Sequence, residues 1–134
     1  MQVIEIHKRI QALAEVVKGK PEPREVTIPV GDYTVQGDVY IQALDIVPTG
    51  YKPTSIAAQI APGNTQGSRH ILKSLDGIKM YTAKNASVLD GPVIRAEQSF
   101  ELTHPEHGHL ILSPGIYRIT YARQYAVELR RVAD

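Results

Sequence analysis

A chain of 134 residues fits one domain built round one apolar core. It has no cysteine, which excludes disulfides and thiolate-held zinc or iron–sulfur sites, so a metal would have to be held by imidazole and oxygen ligands. Fifteen basic against fourteen acidic residues leave a formal charge of +1, without the concentrated positive field of a nucleic-acid-binding domain, and no nucleic-acid partner is expected.

The first element is predicted as an amphipathic helix over residues 1–20. Val3, Ile6, Ile10, Leu13 and Val17 recur at spacings of three and four, with Glu5, Lys8, Arg9, Glu15 and Lys18 on the other face. The same five apolar positions form an a/d seam over roughly two heptads, which makes the helix a candidate for self-association into a homo-oligomer. The charges within it break any signal-peptide run, and no segment has the length of a membrane span, so a cytoplasmic protein is expected. Gly19, Pro21 and Pro23 stop the helix, and residues 21–25 read as a linker to a β-rich domain over 26–134.

From there the hydrophobic period changes to two. Val26, Ile28 and Val30 share one parity, and Val35, Val39 and Ile41 another, with a turn at Gly31-Asp32 between them and a bulge or hairpin at Gly37-Asp38. Further short strands are expected at Thr54 to Ile60, Arg69 to Lys73, Ile78 to Thr82, Pro92 to Ala96 and Ser99 to Thr103, then a long strand-like run from Leu110 to Tyr125. In that run Tyr117, Ile119, Tyr121 and Tyr125 should face the core. Frequent short strands argue for a mainly β fold, an antiparallel sandwich or barrel. Arginines interleave with the tyrosines of this last segment, a combination useful for single-stranded nucleic acid, but core packing explains those tyrosines better.

Three of the five histidines fall in His104-Pro105-Glu106-His107-Gly108-His109. In an extended segment His107 and His109 would lie on one side, about 6–7 Å apart at the backbone, within reach of one metal. His104, Glu106 or His70 would be needed to complete a ligand set, with Glu106 or Glu101 as general base. The helical H-E-x-x-H signature is absent. A strand-borne His-x-His is similar to the cupins, small β-barrels that bind metal, yet no glutamate follows closely after His109. The plainer alternative is a polar turn set by Pro105 and Gly108. Gly63 to Ser68 lacks the lysine of a phosphate-binding loop, and no nucleophile elbow surrounds Ser68.

Gln36-Gly37-Asp38-Val39, Gly67 with His70, Leu102-Thr103-His104-Pro105-Glu106-His107 and Pro114-Gly115-Ile116-Tyr117 together resemble a pattern found in a group of small, largely uncharacterised proteins of bacteria and their phages. Its members read Q-G-D-V, then T-G-H-x-H, then L-T-H-x-E-H, then P-G-x-Y-x-V. The resemblance implies a β-rich fold in which His70, His104 and His107 cluster, and a phage-derived setting, virion-associated if the chain is phage-encoded. His109 has no counterpart in it, and Ser68 stands where the pattern has its first histidine, so a shared metal site would lose one ligand here. The expectation is a non-catalytic binding or assembly module. The alternative is a metal-dependent, cupin-like enzyme that binds a divalent ion such as zinc through His70, His104 and His107.

Overall fold

The computed structural model describes residues 22–61 and 70–122. These form ten strands and, among the described residues, no helix: β1 (Arg24–Val26), β2 (Tyr33–Gln36), β3 (Val39–Leu44), β4 (Tyr51–Thr54), β5 (Ile71–Leu72), β6 (Ile78–Ala83), β7 (Asp90–Ala96), β8 (Phe100–Thr103), β9 (Leu110–Leu112) and β10 (Gly115–Tyr121). They assemble into a four-stranded sheet, β1-β9-β8-β5, and a six-stranded sheet, β2-β3-β10-β7-β6-β4. Both sheets are open, so the barrel alternative gives way to two layers. The helix expected over residues 1–20, Tyr125 and residues 62–69 lie outside the described residues. Arg24 and Glu25, read from the sequence as linker, already belong to β1, which runs parallel to β9. Every other strand pair is antiparallel.

One apolar cluster joins the layers. Ile41, Met80, Ile94 and Ile119 come to it from the larger sheet, and Leu72, Leu102, Leu110 and Leu112 from the smaller. Each such side chain, withdrawn from water, stabilises the fold by about 1.5–3 kcal/mol, an upper estimate because unfolded chains are themselves partly collapsed. Tyr117, Ile119 and Tyr121 share the inward parity of β10, as the sequence pattern predicts. The Tyr117 ring meets Phe100 of the opposite sheet edge-on at 5.5 Å.

Four sequence expectations require correction. The run from Leu110 is two strands in different sheets, because the chain crosses between layers at Ser113-Pro114, where proline withholds a ladder donor. The Tyr117 hydroxyl pins that crossing by donating to the Ser113 carbonyl at 2.7 Å. The strand near Thr54 ends there instead of beginning, and the following segment contributes one isolated bridge, Gln59 to Ile71. The parity assigned to β2 is reversed. Gln36 pairs with Val39 across a two-residue turn, so Gln36 faces inward beside Val39, while Val35 shares the outer face with Tyr40. Val30 is likewise exposed rather than half-buried.

Candidate functional site

The β5–β8 register builds the site. Ile71 pairs with Thr103, so the residues one step beyond, His70 and His104, come side by side although thirty-four positions separate them in the chain. Their ring centroids are 4.4 Å apart. After His104 the chain turns through Pro105, Glu106 and His107, which folds the His107 ring back over His104 with centroids 4.5 Å apart. The three imidazoles thus form a tilted stack, with interplanar angles of 52° and 40°, running from the core to the surface: His70 and His104 are buried, and His107 is exposed.

The β2–β3 hairpin closes the stack. Gln36, also buried, donates through Nε2 to the carbonyls of Leu102 at 2.9 Å and Gly108 at 2.8 Å. Two accepted donations fix the amide orientation, so Oε1 must face His70 Nδ1, 2.7 Å away, and Nδ1 carries the proton. His104 is held in the opposite sense. Its Nδ1 accepts from the backbone N–H of Glu106 at 3.0 Å and of His107 at 2.9 Å, so the proton of the neutral ring sits on Nε2. Gly37 occupies a left-handed conformation, φ +57°, against His107: a Cβ there would lie 2.5 Å from the His107 Cδ2.

Burial drives the His70 pKa from 6.5 down to about 3, with His104 and His107 adding charge repulsion, so the ring remains neutral at any ordinary pH. Its bare nitrogen is Nε2. A neutral His104 offers no lone pair at Nε2, because the backbone of the turn occupies its Nδ1; ligation there would require that proton to leave. Among the described residues no group of three or more His, Asp or Glu is placed to hold a metal ion.

The remaining sequence candidates stand apart. The segment from His104 to Gly108 is a turn, not an extended strand, so His107 and His109 do not form a strand-borne His-x-His pair. The backbone carbonyl of His109 instead accepts from Arg24 N at the start of β1, at 2.9 Å. Glu106 is exposed, and Glu101 pairs with Lys73 at 3.3 Å. Ser68 lies outside the described residues. What sequence reasoning missed is the role of Gln36 and Gly37. The signal was present in the Q-G-D-V stretch, a polar residue beside a glycine between apolar strands, but only the hairpin turn brings it to the histidines.

A family model described as a domain of unknown function, DUF8820, matches residues 35–122, more than half of the chain. That span holds Gln36, Gly37 and all three stacked histidines. Neither the curated proteins nor the solved structures gave a match.

Proposed function

Because the chain belongs to the DUF8820 family of domains of unknown function, and the matched span encloses both the histidine stack and its glutamine brace, we propose that it is a non-catalytic binding or assembly module whose histidines are architectural. The observation that carries this reading is the fixed tautomers. His70 Nδ1 is committed to Gln36 and His104 Nδ1 to its own turn, so the ring groups that the sequence offers for chemistry instead join β5, the β8–β9 turn and the β2–β3 hairpin. A buried polar network satisfied in this way specifies one arrangement of three loops. In this reading the two layers form a sandwich, and residues 1–20 supply self-association into a homo-oligomer. The motif resemblance adds a bacterial or phage provenance, with a cytoplasmic or virion-associated setting. No helix of the described residues is long and apolar enough to cross a membrane.

The competing reading, a divalent-metal enzyme centred on His70, His104 and His107, draws support from their convergence. Elemental analysis of the purified full-length protein, followed by zinc titration of the wild type and His107→Ala, distinguishes the two. The architectural reading expects substoichiometric metal and the same weak zinc response in both proteins. Stoichiometric zinc that disappears in His107→Ala would overturn it.

A further inference from the structure

The outward face of the six-stranded sheet carries a second pattern, created by strand register. Tyr33, Gln42, Arg118, Val93, Tyr81 and Pro53 are consecutive cross-strand partners and form one row across all six strands. From Tyr33 to Tyr81 the row crosses four strand spacings, about 19 Å. The neighbouring row runs Leu44, Ile116, Arg95, Lys79. Val93 is fully buried yet lies outside the core cluster, so its neighbours on this outer face must cover it. On one flank Tyr33 and Tyr40 meet edge-on with centroids 6.1 Å apart, beside a shallow concavity of about 470 Å³ lined by Tyr33, Val35, Tyr40, Gln42 and Thr120. On the other flank the Arg118 guanidinium lies 5.8 Å from the centre of the Tyr51 ring.

Neither row contains a carboxylate. Among the described residues Arg95 and Arg118 have no ion-pair partner, and Lys79 reaches only Glu97, at 4.0 Å and largely in solvent. The acidic group in the next row, Asp90, is engaged by the Ser87 N–H. The near-neutral composition therefore conceals a local asymmetry: the fold collects cations and tyrosine rings on one sheet face and leaves the acidic residues mostly elsewhere. A second copy packed on this face would bring like charges together, which disfavours self-association here. An anionic chain bearing flat apolar rings satisfies both features at once.

We propose that this face binds single-stranded nucleic acid, with bases stacking on Tyr33, Tyr40 and Tyr81 and phosphates paired with Arg118, Arg95 and Lys79. The proposal rests on the binding-module reading and names its partner. A sheet presenting rings between cations recognises single strands in this manner, since every base has a face to stack and every linkage a charge.

The test is fluorescence polarisation of labelled 16-nucleotide oligothymidylate and oligouridylate with the full-length protein, the sugar preference separating DNA from RNA. With three phosphate contacts, raising salt from about 50 to about 200 mM should weaken binding roughly tenfold to twentyfold. Arg95→Gln/Arg118→Gln should weaken it at least tenfold and flatten the salt dependence, and Tyr33→Ala/Tyr40→Ala should weaken it at least fivefold. Lys73→Gln, on the other sheet, should bind like the wild type. The single variant Arg95→Gln, at an exposed position, keeps the test decisive if the double variant fails to fold. Absence of binding by the wild type, or binding unaltered in the arginine and tyrosine variants, would overturn the proposal. Equal competition by polyglutamate would assign the face to an acidic protein, and a fall in oligomer mass in Tyr33→Ala/Tyr40→Ala would assign it to a second copy; either also overturns it. Failure here leaves the metal content untouched, so the architectural reading of the histidines stands or falls separately.

Discussion

Mild acid should destabilise this fold through His70 by an amount that depends little on its depressed pKa. The unfolded chain takes up a proton on this histidine near pH 6.5, whereas the folded chain does so only near 3. Between those values the unfolded state binds more protons, so stability rises with pH; the contribution is fully present above 6.5 and is lost progressively as pH falls toward 3. At pH 5 the loss spans one and a half units, about 2 kcal/mol at 1.36 kcal/mol per unit. A folded-state value one unit higher or lower changes that figure only slightly, since pH 5 stays above it. The control is His70→Asn, whose side-chain amide can still donate to Gln36 Oε1 but does not titrate. This variant will be less stable at neutral pH because it loses the ring and its contact with His104. Urea unfolding followed by circular dichroism at pH 7.5 and 5.0 then gives two differences. The wild type should lose about 2 kcal/mol more than His70→Asn on acidification. Equal losses in the two proteins would refute the claim that a buried, neutral His70 couples this fold to pH.

Gln36→Leu should destabilise the protein by about 3 kcal/mol, since it leaves the Leu102 and Gly108 carbonyls and the His70 N–H without their partner; a chemical denaturation midpoint within error of the wild type would contradict the brace. Gly37→Ala should cost about 1 kcal/mol from its left-handed backbone and more from collision with His107. In a His107→Ala background only the backbone part should remain, so additive effects in the double-mutant cycle would rule out the contact. If residues 1–20 drive assembly, Ile10→Glu/Leu13→Glu in the full chain should reduce the mass measured by light scattering to that of a monomer, and an unchanged mass would remove that segment from the role.

The β-rich class, most strand positions and the inward parity of Tyr117, Ile119 and Tyr121 follow from period-two patterning, because alternation along a strand is a local property of the backbone. The clustering of His70 with His104 and His107 was accessible only through the motif resemblance; the cause is the Ile71 to Thr103 pairing, a long-range register that no local pattern encodes. Tertiary structure alone decided the rest. A two-residue turn at Gly37 turned Gln36 inward and Val35 outward, which delivered the amide that fixes the His70 tautomer. The turn after Thr103 replaced the extended His-x-His geometry with a stack. Tyr33, Gln42, Arg118, Val93 and Tyr81 come from five strands spread over nearly two-thirds of the chain, and their shared row exists only once the six-stranded sheet has chosen its order. Composition sums charge over the whole molecule, whereas sheet register determines which charges and rings share a face.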